Sequence, residues 1–113
     1  MAIIIKTGNA IVLLTIIKTT IKDNKIPTWA CDDQGDFTSL ARPYLYQAWF
    51  KPRISGDELR FGIVGRNDKV LSAKNYAYYH AAFIEMLLIN FDEDFQSVSA
   101  TAQFEEPDIY DQF

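Results

Sequence analysis

SAKNYAYYHAAFIEMLLINF, residues 72–91, is the longest apolar-rich stretch with a helical period in this 113-residue chain. Ala73, Ala77, His80, Ile84, Leu87, Leu88 and Phe91 recur at spacings of three and four, while Lys74, Asn75, Tyr78, Glu85 and Asp92 fall largely on the other side. The pattern predicts an amphipathic helix broad enough to cover one face of a sheet. Ser72 stands where its hydroxyl can accept from an orphan N–H of the first turn. Asp92, Glu93 and Asp94 would oppose the helix dipole, so the helix is expected to stop near Asn90.

Both flanks of this helix read as strand. Downstream, Val98, Ala100, Ala102 and Phe104 alternate with Ser97, Ser99, Thr101 and Gln103, a half-buried strand over residues 97–104. Upstream, Ser55-Gly56-Asp57-Glu58 looks like a two-residue hairpin turn, with Gly56 where a type II′ turn needs a positive φ. Pairing Ser55 with Glu58 sets Ile54 opposite Leu59, Phe50 opposite Ile63 and Ala48 opposite Gly65. One face is then continuously apolar, whereas a slip of one residue mixes the faces. The other face carries Trp49, Lys51, Arg53 and Arg60, with the two arginines directly opposed. Pro52 cannot donate to a ladder and belongs at an edge or a bulge. The first strand of this hairpin is expected over residues 44–54, after a connector at Ala41-Arg42-Pro43. Gly65-Arg66-Asn67-Asp68 reads as the turn before the helix.

Further upstream, residues 28–32 and 37–40 read as short strands around an Asp33-Gln34-Gly35-Asp36 turn. Residues 2–6 are β-branched and read as a strand, broken by Gly8 and Asn9. Residues 10–23 are rich in Ile, Val and Thr, which favours strand. Thr15, Lys18, Thr19 and Lys22, however, form a polar stripe at helical spacing, and Asn9 can cap. Helix is the reading adopted, with a hairpin turning at Gly8-Asn9 as its rival. The expected order is β-α-β-β-β-α-β. Such a chain packs most economically as a two-layer α+β sandwich, a mostly antiparallel sheet of four to five strands with two helices on one face.

Residues 1–104 are expected to form a single domain and residues 105–113 a mobile acidic tail. With 49% apolar and 23% charged residues, the chain has ordinary globular values and can bury about two thirds of its surface. All eleven Lys and Arg lie at or before Lys74, together with seven acids; eight acids and no base follow. This segregation disfavours nucleic acid wrapped over the whole surface and suits an acidic or basic face that meets a partner. A single cysteine, Cys31, excludes a disulfide framework and a cysteine-rich zinc site. The apolar run from Ala10 to Leu14 is too short to span a bilayer, no cleavage pattern follows it, and a cytoplasmic protein is expected.

Chemistry-bearing motifs are few. Gly62-Ile63-Val64-Gly65 lacks the loop length and the lysine of a phosphate loop, and no serine sits in a Gly-x-Ser-x-Gly elbow. Asp32, Asp33 and Asp36 around Gly35 do not follow the alternation of a calcium loop. His80 is the one histidine, and a catalytic role would need a partner such as Cys31 or Asp32. No cofactor or metal is expected. The expectation is a small non-catalytic protein-interaction domain, of the inhibitor or immunity type, acting on another protein or on a second copy through Trp49, Lys51, Arg53 and Arg60. The alternative is a ligand-binding domain with an aromatic pocket between helix and sheet, lined by Tyr44, Tyr46, Tyr76, Tyr79 and His80.

Overall fold

The computed structural model describes residues 2–66, 68 and 70–103. The elements are β1 (Ile3–Lys6), α1 (Ala10–Lys22), β2 (Trp29–Cys31), β3 (Phe37–Ser39), β4 (Ala48–Ser55), β5 (Glu58–Gly65), α2 (Ala73–Phe91) and β6 (Ser97–Ala100). They build an α+β sandwich. The strands form one antiparallel sheet in the order β2-β3-β4-β5-β1-β6. Among the described residues the sheet has six strands rather than four to five, because the short β2–β3 hairpin joins it through Phe37 opposite Phe50. Residues 105–113, read as a tail, lie outside the described residues. No helix among those described is long and apolar enough to cross a membrane.

Residues 10–23 are helical, not a hairpin. Asn9 is extended and its side chain accepts from the Val12 N–H at 3.1 Å, which satisfies one orphan donor of the first turn. Ala10, Leu13, Ile17 and Ile21 supply the buried stripe. β-propensity loses here because helical spacing gathers these four apolar side chains on the buried side and leaves Thr15, Thr19 and Lys22 exposed. Ser72 caps α2 by accepting from the Asn75 N–H at 3.1 Å. The buried stripe of α2 is Tyr79, His80, Phe83, Met86, Leu87 and Phe91, whereas Ala73, Ala77 and Leu88 are exposed. The helix is therefore turned toward its aromatic residues. Large rings fill the layer between helix and sheet, and alanines do not.

The β4–β5 register is Ser55 with Glu58, Ile54 with Leu59, Phe50 with Ile63 and Ala48 with Gly65, unbroken by a bulge. Gly56 has φ +60°, and Asp57 stays at negative φ, as a type II′ turn requires. The alternation of the ladder points the nitrogen of Pro52 away from β5, on the side where β3 has already ended, so no bond is lost. Ala48, Phe50, Leu59, Phe61, Ile63, Ile3 and Ile5 share one face and meet both helices there.

Two expected strands are shorter than their patterns. β4 begins at Ala48 rather than at Tyr44. The buried Tyr79 hydroxyl donates to the Tyr44 carbonyl at 2.6 Å and accepts from the Gln47 N–H at 3.1 Å, which takes these groups out of any ladder. Tyr46 sits at φ +54° and donates its N–H to the Ser39 carbonyl. β6 spans Ser97–Ala100, short of the expected alternation through Gln103, and Thr101 just past its end donates to the Ala2 carbonyl at 2.8 Å. Residue 104 lies outside the described residues.

Candidate functional site

Both helices cover the same face of the sheet, which leaves the other face without a second layer among the described residues. Register fixes what that outer face presents. β4 contributes Trp49, Lys51, Arg53 and Ser55; β5 contributes Glu58, Arg60, Gly62 and Val64; β1 contributes Ile4 and Lys6; β6 contributes Ser97 and Ser99. Four cations stand there against one carboxylate, on a chain whose formal net charge is -4. Arg53 and Arg60 are cross-strand partners, as the hairpin pattern requires. Like charges directly opposed are unfavourable, and the carboxylate that relieves Arg60 comes from its own strand. Glu58 Oε1 accepts from Arg60 Nε at 3.1 Å and Nη2 at 3.0 Å. Lys51 and Arg53 are exposed, and Trp49 is half-buried. The structure thus brings Trp49, Lys51, Arg53 and Arg60 together on one surface.

At one end of this surface lies a cleft of about 670 Å³. The β2–β3 hairpin lines it with Asp32, Gln34 and Asp36, the segment before β4 with Tyr46, the outer face with Trp49 and Val64, the end of β5 with Gly65, and the chain after β5 with Arg66 and Asp68. Asp32 is fixed as the hub of its turn: its Oδ1 accepts from the Gln34 N–H at 3.0 Å and the Asp36 N–H at 2.9 Å. Arg66 grips Asp68 with two bonds of 2.9 and 2.8 Å. Burial, reinforced by the Asp32 charge, pushes the Asp36 carboxyl up, against the opposing pull of Lys51 and Lys18. The outer face therefore has a basic field over β4, β5 and β1 and an acidic, aromatic margin beside it. Sequence reasoning missed this cleft, since its walls come from three separated stretches of chain. Trp49 and Tyr46 were legible in the sequence, but as members of a polar sheet face and of a different, helix-side pocket.

The tyrosines do not share one environment. Tyr44 stacks on Tyr78 with ring centroids 3.6 Å apart, Tyr46 is half-exposed in the cleft, and Tyr76 lies 4.6 Å from the His80 ring. Tyr79 is fully buried and meets Trp29 edge-on at 5.8 Å. His80 is buried, its Nδ1 is 2.9 Å from the Tyr76 carbonyl oxygen and its ring packs edge-on to Phe50. The layer between α2 and the sheet, where an aromatic pocket was expected, is occupied here by Tyr79, Phe83 and their ring partners.

Cys31 lies elsewhere, on β2, with its thiol 3.8 Å from the Asp32 carbonyl oxygen. Burial pushes the Cys31 thiol up from its ordinary value of 9.0, although Lys22 and Lys18 pull the other way. Because the thiolate is the nucleophile, the folded chain is expected to alkylate more slowly than the unfolded chain at pH 8. Its rate should still climb with pH above 9. Equal rates for the folded and unfolded chains would show an unprotected thiol. The chain matches no protein-family model, no curated protein and no solved structure.

Proposed function

We propose that this protein is a non-catalytic binding module whose outer sheet face docks an acidic protein. The observation that carries the reading is the concentration of Lys6, Lys51, Arg53 and Arg60 on the sheet face that neither helix covers, in an otherwise acidic chain. Trp49 supplies an amphipathic ring beside the charges, and Trp and Arg are the side chains that most often anchor interfaces. Strands hold all of these side chains, so little ordering entropy is lost on docking. The carboxylates Asp32, Asp36 and Asp68 at the cleft would repel an acidic surface that ran past Lys51. They thereby fix which way round the partner sits.

The test is affinity capture from nuclease-treated extract of the host cell. The native chain is compared with the double variant Trp49→Ala, Arg53→Ala, whose folding is checked by circular dichroism. The native chain is expected to retain an acidic protein that elutes as salt rises past the point where exposed charges are screened. The folded double variant should retain at least about tenfold less. Equal retention by the two chains would overturn the reading. Retention seen only when the nuclease treatment is omitted would assign the basic face to nucleic acid instead.

A further inference from the structure

The sheet has two ends, and they are built differently. At one end β2 is three residues long, Pro27 precedes it, and Asp32 and Asp33 follow it. Shortness, proline and charge are the devices that keep an edge from pairing with another chain. At the other end β6 lies in FQSVSATAQ, residues 95–103, which contains no charge, no proline and no glycine. Acids flank that run on both sides, at Asp94 and Glu105, but none falls within it. Ser97, Ser99 and Ala100 are exposed and Val98 is half-buried.

The ladder shows which way the polar groups of this edge point. Thr7 donates to the Asp57 carbonyl at 3.1 Å, so the odd residues of β1 address β5 and the even ones address β6. Thr101 donates to the Ala2 carbonyl at 2.8 Å and therefore faces inward. Alternation then turns Ser99 inward, opposite Ile4, and directs the N–H and C=O groups of Val98 and Ala100 out of the sheet.

We infer that β6 is the contact of a symmetric dimer, pairing antiparallel with β6 of a second copy. The register is fixed by the same groups. Centring the two-fold axis on Ser99 sets Val98 opposite Ala100 of the second copy at both ends and uses every outward group, four hydrogen bonds in all. Centring it on Val98 or on Ala100 leaves one of the two outward residues beyond the strand. A shift by an odd step aims outward groups at inward ones. The chosen register also sorts side chains, with Val98 against alanine on the helix side and Ser99 against serine on the outer side.

The axis runs perpendicular to the sheet, so the two outer faces look the same way over a continuous sheet of two six-stranded halves. The β1 strands stand three strand spacings apart, about 14 Å. That exceeds the Debye length at physiological salt, about 8 Å, so the two Lys6 side chains scarcely repel. The contact is short, which places it among weak, transient interfaces. It stands independently of what the outer face binds.

The experiment is sedimentation equilibrium of the full chain from roughly 10 µM to 1 mM, a range that covers weak interfaces, repeated with Ala100→Pro. Proline there removes an outward N–H that no bond among the described residues uses, and with it two of the four dimer bonds. The native chain is expected to dimerise within this range, and the variant at least about tenfold more weakly. Disulfide trapping in a Cys31→Ser background gives a second readout should Ala100→Pro fail to fold. Ser99→Cys faces its own copy across the axis at about 4.5 Å between Cα atoms and should cross-link. Ser97→Cys, about 13 Å from its copy, should not. A native chain that stays monomeric at 1 mM, an unaffected association in folded Ala100→Pro, or equal cross-linking at residues 97 and 99 would each overturn the dimer.

Discussion

Replacing Phe83 by alanine is expected to remove about 3–5 kcal/mol of stability, the usual cost of deleting a fully buried phenylalanine ring. Phe83 lies 4.7 Å from Phe50, 4.8 Å from Phe61, 4.9 Å from Trp29 and 5.9 Å from Phe37, measured between ring centroids. Four strands of the sheet thus converge on one side chain of α2. No neighbour can refill the space, because each ring belongs to a different strand and is held by its own ladder. A domain of this size has about 5–15 kcal/mol in all, so the loss is a large share of the total. It should lower the thermal midpoint by roughly 10–20 °C. Ile89→Ala on the same helix is the control: Ile89 is 70% exposed, and its loss should stay within about 0.5 kcal/mol. Thermal melts of the two variants decide the matter. A Phe83→Ala midpoint within about 3 °C of the native value would mean that the helix and sheet are not organised around this ring.

The same cluster explains which parts of the fold were legible. The β4–β5 register could be read in full, because a period of two, a turn glycine and a penalty for slipping all point to one pairing. The two caps, Asn9 and Ser72, were equally plain, since capping is decided within three residues. What escaped was anything decided at long range. The buried stripe of α2 was right at His80, Leu87 and Phe91 but misplaced at Ala73 and Ala77, because alanine counts as apolar in a periodic pattern. The sheet selects by volume instead, and so takes Tyr79 and Phe83 while leaving Ala73 and Ala77 in solvent. The start of β4 was misplaced because the group that ends the ladder, a tyrosine hydroxyl, comes from a helix more than 30 residues later. The basic hairpin face followed directly from the register. Its acidic margin did not, because Asp32, Tyr46 and Asp68 become neighbours through the β2–β3 hairpin and the chain after β5, and no spacing in the sequence announces it.

Tyr79→Phe tests that long-range decision. The variant keeps the ring and its contacts with Trp29 and Phe50 and loses only the oxygen. Two backbone groups then lose a partner: the Tyr44 carbonyl, bonded at 2.6 Å, and the Gln47 N–H, bonded at 3.1 Å. Thr38 also loses a hydroxyl neighbour at 3.5 Å, but its own donor remains on the Ala48 carbonyl at 2.7 Å. Leaving partly buried groups unpaired costs about 1–3 kcal/mol, more than the net worth of an ordinary hydrogen bond. The damage should be local. Residues 44–47 hold Tyr46 at its positive φ against the cleft, so their amides should exchange faster with solvent while those of α1 change only by the global loss. The Gln47 amide is the reporter, read by hydrogen exchange. Tyr78→Phe is the comparison, since the Tyr78 hydroxyl has a long 3.4 Å contact with Ser39 Oγ and its ring remains stacked on Tyr44. If Tyr79→Phe matches the native chain in both stability and Gln47 exchange, the hydroxyl does not set the start of β4. If Gln47 alone loses protection, one oxygen on α2 holds the wall of the cleft in place, and the outer face depends on the core beneath it.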